Sequence, residues 1–154
     1  MDLRQQRVAE WELKISKAEN RKWKKWHPKL KLWTDEVGYE KEDTFLADCM
    51  GWLRDAHPEL SFAVFHIANE GSSESLESRM RGSKNLTIGV LSGVPDVCSV
   101  WKGCIHWIEF KLPGRGLTGN QPAIHKLWES FGLNMHICDN FKHWKFIIEK
   151  LILG

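Results

Sequence analysis

Two apolar stretches, residues 94–101 and 104–111, flank the dipeptide Lys102-Gly103. Two extended runs separated by a two-residue turn ending in glycine predict a β-hairpin. This hairpin constrains the fold most, because it makes two distant-looking motifs neighbours. Along its second strand the residues alternate: Ile108, Glu109, Phe110, Lys111. Successive strand side chains point to opposite faces, so Glu109 and Lys111 share one face and Ile108 and Phe110 the other. A charge on the inner part of an apolar strand needs a partner or a purpose, since burying it unpaired is costly. Taken as an isolated dipeptide pattern, Glu109 and Lys111 fit a solvent-facing stripe better.

The remaining elements follow from periodicity and punctuation. Val8, Trp11, Ile15 and Ala18 recur at helical spacing in residues 2–26, and His27-Pro28 ends that helix. A second helix is expected over 40–56, with Phe45, Cys49, Trp52 and Leu53 on one side and His57-Pro58 as its stop. Residues 61–68 read as a strand and 69–73 as a turn. The polar segment 74–85 fits a short helix or a loop, and 89–93 is another turn. After the hairpin, a helix over 119–131 is expected with Thr118 as N-cap and Gly132 as its end. A strand over 133–138 and a closing helix over 141–153 complete the chain. The order predicts an α/β fold with helices packed on a mixed sheet.

Charge is unevenly spread. Residues 1–32 carry ten Lys/Arg against four Asp/Glu, a net of +6, whereas the other residues carry 12 against 16, a net of −4. This predicts two parts: a basic, Trp-containing helical extension over 1–38 and a body over 39–154. Arg21, Lys22, Lys24 and Lys25, interleaved with Trp23 and Trp26, suit phosphate contact with base stacking. They equally suit an amphipathic helix packed on the body or on a second subunit. Arg79, Arg81, Lys84 and Arg115 are further candidates for phosphate contact. The four cysteines form no CxxC pair, and Cys49, Cys98 and Cys138 lie in apolar runs, so buried free thiols are expected. No signal peptide or long apolar stretch stands out, so the chain is expected to be cytoplasmic, without a membrane.

The candidate chemistry lies in Gly93-Val94-Pro95-Asp96, Glu109-Phe110-Lys111 and Thr118-Gly119-Asn120-Gln121. Pro95 has a fixed φ and helps aim Asp96, although Pro-Asp alone is an ordinary turn. The hairpin sets Asp96 and Glu109 on adjacent strands, where their carboxylates can converge. Hard cations such as Mg²⁺ take oxygen ligands, commonly one or two carboxylates with water and phosphate. Lys111 could then steady a water or a phosphorane oxygen, and Gln121 sits in the first turn of a helix whose N-terminus favours anions. His125, one turn further on and on the same helix face, could approach the phosphate, but reads more simply as a surface or hydrogen-bonded structural histidine. The other histidines have no catalytic spacing, and no HExxH, Walker loop or GxSxG occurs.

Together, Gly-Val-Pro-Asp, Ile-Glu-Phe-Lys, Gly-Leu-Thr-x-x-Gln and a helix ending in Phe-Gly resemble the VRR-NUC family of the PD-(D/E)xK nuclease superfamily. The resemblance runs over about residues 40–149 and is densest over 89–138. It implies a restriction-endonuclease-like αβββαβ core and metal-dependent phosphodiester hydrolysis. It assigns Asp96, Glu109 and the Phe110 backbone carbonyl to a Mg²⁺ or Mn²⁺ ion, Lys111 as the catalytic lysine, and Gln121 as the family's helix glutamine. An acidic residue in the helix before the first strand is matched best by Glu42, with Glu40 as the alternative. The glutamine often found one turn later is replaced by Leu46. Asn69 matches a turn position of the family, where it either touches DNA or simply forms the turn.

The expected function is therefore that of a metal-dependent DNA endonuclease. The chain's small size, with no room for a separate DNA-binding domain, resembles the family's standalone members. These are dimeric junction-resolving enzymes, often from phages or bacteria. A homodimer acting on branched DNA such as a four-way (Holliday) junction in repair or recombination follows as an expectation by analogy. The alternatives are a nucleic-acid-binding module with an inactive site, or a less selective nuclease of the restriction or anti-phage type.

Overall fold

The computed structural model describes residues 38–68 and 84–154, together with 2, 3, 5–7, 9 and 10 near the N-terminus. The chain divides into two compact units, Met1–Phe62 and Ala63–Gly154. The architecture is mixed α/β, with a four-stranded open sheet. Among the described residues no helix is long and apolar enough to cross a membrane.

In the first unit, Asp2 opens a helical segment. Its carboxylate accepts from the Gln5 N–H at 3.0 Å, and the Gln5 side chain accepts from the Asp2 N–H at 3.2 Å, a reciprocal capping box. Helix α1 spans Glu42–Ala56, with Glu42 and Asp43 in its first turn, where the helix dipole favours acids. Phe45, Cys49 and Leu53 are fully buried, as their spacing predicts. Trp52, placed on the same face by spacing, is only half-buried and meets His57 edge-on at 5.2 Å. The helix stops at His57, and Pro58–Leu60 continues as a single 3₁₀ turn.

The second unit holds the sheet. Strands β1 (Val64–His66), β2 (Val97–Trp101), β3 (Cys104–Phe110) and β4 (Asn134–Cys138) lie in chain order. The first three are antiparallel and β4 runs parallel to β3. The parallel pair is joined by helix α2 (Gln121–Ser130), and helix α3 (Phe141–Phe146) follows β4. The hairpin turns on Lys102 (φ 47°) and Gly103 (φ 83°). Two consecutive positive φ values are those of a type I′ turn, whose twist matches the flanking strands.

Four expectations need correction. β1 is three residues long, because the Ser61 N–H is still bonded to Pro58 at 3.1 Å and the chain is turning there. β2 starts at Val97, so Asp96 precedes the strand. The N-cap of α2 is Asn120 and not Thr118. Thr118 instead donates its N–H to Gln121 Oε1 at 2.9 Å, the same back-reaching bond that Gln5 makes to Asp2. The closing helix is not uniformly α: beyond Phe146 it widens into π-helical turns over Ile147–Ile152. At the other end of α2 the expectation holds. Gly132 (φ 83°) follows the last turn, and Leu133 N–H reaches back to the Trp128 carbonyl at 3.1 Å.

The sheet is covered on both faces. Phe110 meets Trp144 of α3 at 5.3 Å between centroids, while Trp107, three residues earlier and on the other face, meets Trp128 of α2 at 4.7 Å. Ile108, Phe110 and Trp144 are essentially inaccessible, each burying area worth about 25 cal/mol per Å². This leaves Glu109 and Lys111 on the α2 face.

Candidate active site

Asp96 is held from two strands. Its carbonyl accepts from the Ile67 N–H just past β1 at 2.7 Å and lies 2.8 Å from His66 Nδ1. Its carboxylate oxygen Oδ2 accepts from the Phe110 N–H of β3 at 2.8 Å. Because Val97 is registered opposite Ile108, Asp96 falls alongside Glu109 and Phe110, where the expected hairpin would put it. The loop before it is locked against α2. Gly93 has φ 88°, and a Cβ there would stand 3.0 Å from the Asn120 carbonyl carbon and 3.1 Å from the Gln121 nitrogen. Only glycine tolerates both that backbone and that approach. Asn120 also donates to Ser92 Oγ at 2.9 Å across the same seam.

Glu109 is the centre of the site. It is 1 % exposed, and its Oε1 accepts from Gln121 Nε2 at 2.5 Å and lies 2.8 Å from Lys111 Nζ. Lys111 is 6 % exposed. Such a pair keeps both charges inside the fold because each compensates the other and charge-assisted contacts converge on Glu109 Oε1. The stripe reading of Glu109 and Lys111 is thereby excluded: their face is covered. Gln121 acts through both ends of its amide, since Oε1 takes the Thr118 N–H while Nε2 holds Glu109.

His125 is not a surface side chain. It is 5 % exposed, and its Nε2 is buried with no hydrogen-bond partner among the described residues. Burial lowers its pKa, Glu129 on its own helix pulls it up, and the Lys111 ammonium pushes it down. Its helical spacing placed it on the Gln121 face but did not reveal its burial. A second feature that spacing did not reveal is a histidine pair on the opposite face. His106 Nδ1 lies 2.9 Å from His136 Nε2, with the rings stacked at 5.2 Å. Burial, then His106 and His143, lower the pKa of His136 to about 4, and burial lowers that of His106.

The structure thus gathers Asp96, Glu109, Phe110, Lys111 and Gln121 in one place. Lys84, in a short helical turn over 84–87, and Arg115, on the connection between β3 and α2, are both exposed. Glu42 belongs to the first unit, half-buried in the opening turn of α1. The buried carboxylate of α1 is Asp48, which accepts a short hydrogen bond from the Tyr39 hydroxyl. Arg21, Lys22, Lys24, Lys25, Asn69, Arg79 and Arg81 lie outside the described residues, as does most of the 1–38 extension. Among the described residues no group of three or more His, Cys, Asp or Glu side chains forms a ready-made metal cage. The donors present are two carboxylates and a strand carbonyl, hard oxygen ligands of the kind Mg²⁺ or Mn²⁺ accepts with water and phosphate completing the shell. Cys49, Cys98 and Cys138 are buried free thiols as expected, and burial pushes Cys138 up to about 12. Compared with known proteins, the chain matches no family model and no curated protein.

Proposed function

We propose that this chain is a metal-dependent DNA endonuclease built on a restriction-endonuclease-like core. The observation that carries the reading is the buried Glu109 carboxylate, held jointly by Lys111 and Gln121 beside an Asp96 tied to the Phe110 N–H. A merely structural ion pair would not require an aspartate, a carboxylate, an ammonium and a helix amide brought together from three chain segments. Asp96, Glu109 and the Phe110 carbonyl would hold Mg²⁺ or Mn²⁺. The bound ion supplies charge to polarise a phosphate and to lower the pKa of a water. Lys111 brings a fixed positive charge to the face where negative charge develops on phosphorus oxygens. Gln121 orients Glu109, and the N-terminal end of α2 favours the anionic substrate.

The finer reading is a homodimer selective for branched DNA, with paired sites for the two strands of a four-way junction. Its support is the family resemblance, with the basic 1–38 extension and exposed Lys84 and Arg115 as phosphate contacts. Cleavage of supercoiled, linear and four-way-junction DNA with Mg²⁺ or Mn²⁺ tests both levels. Wild type should cut, and Asp96→Asn, Glu109→Gln and Lys111→Ala should each reduce the rate by about 100-fold or more. Equal rates on junction and linear duplex would remove the junction reading. Band shifts without any cutting would replace the nuclease with a binding module.

A further inference from the structure

Helix α2 presents Gln121, His125 and Trp128 at steps of four and three, one face of the helix. The two outer members have identified partners on β3 and its extension: Gln121 bonds Glu109, and Trp128 packs on Trp107. The middle member, His125, is therefore directed at the same strand face, and Lys111 acts on its ring by charge. A buried polar atom without a hydrogen bond is costly and uncommon in a folded protein. A leucine there would remove that cost. The imidazole is thus better explained by what it offers Lys111 than by packing.

We propose that His125 is a positioning residue of this site, whose imidazole offers an acceptor to Lys111 when Glu109 turns to other ligands. In the structure the Lys111 ammonium is drawn to Glu109 Oε1 at 2.8 Å. Once that carboxylate engages a cation, its hold on the ammonium weakens, and a nearby neutral acceptor keeps the lysine on the reacting face. His125 Nε2 is buried, so it acts through Lys111 and not on the substrate directly. This role rests on the nuclease reading given above.

The test compares His125→Leu, His125→Gln and His125→Asn with wild type and Asp96→Asn, using plasmid and junction DNA with Mg²⁺ or Mn²⁺ and measuring Tm alongside. His125→Leu should lower kcat by about 10–100-fold, the range typical of residues that orient a metal-site side chain, with KM nearly unchanged. Its Tm should be equal to or higher than that of wild type. His125→Gln carries an amide near the position of Nε2 and should restore most of the rate; His125→Asn, whose amide ends near Nδ1, should not. Wild-type kcat in His125→Leu, with Asp96→Asn inactive, overturns the role of His125 and leaves the nuclease reading standing. Parallel loss of rate and Tm in His125→Leu without recovery in His125→Gln also overturns it, because a packing role behaves that way. If His125→Leu does not fold, equal rates for the Gln and Asn variants overturn it. No cleavage by wild type on any DNA overturns both readings together.

Discussion

The Glu109–Lys111 pair sets up a quantitative test of how deeply the site is embedded. Replacing Lys111 with methionine keeps most of the side-chain volume and removes the charge that lies 2.8 Å from Glu109 Oε1. Breaking a buried pair from one side costs about 3–5 kcal/mol. Gln121 remains as a donor to the carboxylate at 2.5 Å, which favours the lower end. A second ceiling comes from chemistry: the stranded carboxylate can take a proton instead. From an ordinary glutamate value near 4.3, protonation at pH 7 costs about 3.7 kcal/mol, and at pH 5 about 1 kcal/mol. Lys111→Met should therefore lose about 3 kcal/mol at pH 7, or about 6–12 °C in Tm for a chain of this length. The deficit should shrink toward about 1 kcal/mol at pH 5. Glu109→Gln together with Lys111→Met should fall well short of the sum of the two single losses, with a coupling of about 2 kcal/mol or more. Urea unfolding followed by tryptophan fluorescence, on the four proteins at pH 5 and 7, measures every term. Additive losses, or a Lys111→Met deficit independent of pH, would refute the claim that the pair is coupled in a water-poor interior.

Two further predictions concern the surroundings of the site. The folded pKa of His136, about 4 against 6.5, means the unfolded chain binds this proton first as pH falls. Stability should thus be independent of this group above pH 6.5, decline below it, and level off near pH 4. The ring is partly accessible, so screening reduces the full linkage of about 3 kcal/mol to about 1–2 kcal/mol. His136→Gln should flatten that part of the pH–stability curve, and an unchanged slope would count against the histidine pair as its source. Gly93→Ala imposes a left-handed backbone on alanine and a contact with Asn120 and Gln121, for a loss of about 2–3 kcal/mol. Because the same loop positions Asp96, metal affinity measured by calorimetry should drop with it; retained affinity at wild-type Tm would show that the seam with α2 is loose.

Local geometry made much of this fold legible in advance. The hairpin, the alternation that separates Glu109 and Lys111 from Ile108 and Phe110, the stop at His57-Pro58 and the end of α2 at Gly132 all depend on neighbours within a few residues. The less regular features escaped because a competing contact decided them. Thr118 keeps the back-reaching bond to Gln121 expected of a capping box, yet the helix starts only after Asn120. The last helix widens after Phe146, with the Leu153 N–H reaching the Ile148 carbonyl at 2.9 Å, a π spacing that no residue type announces.

The amino-acid order alone determined which side chains could share a face, because strand and helix periods are properties of the backbone. It also supplied the inventory: two carboxylates, a lysine and a helix amide. Tertiary structure decided which faces meet. Gln121 reaches Glu109 across 12 positions of sequence, the Asp96 carboxylate reaches Phe110 across 14, and His106 meets His136 across 30. The Gln121 and His136 contacts come from the parallel placement of β4 beside β3, with α2 as the connection laid over the sheet, whereas the Asp96 contact follows from the antiparallel register of β2 and β3. His125 shows the difference most directly. Its helical phase was readable, but its burial exists only once α2 lies on the strand face that carries the charges.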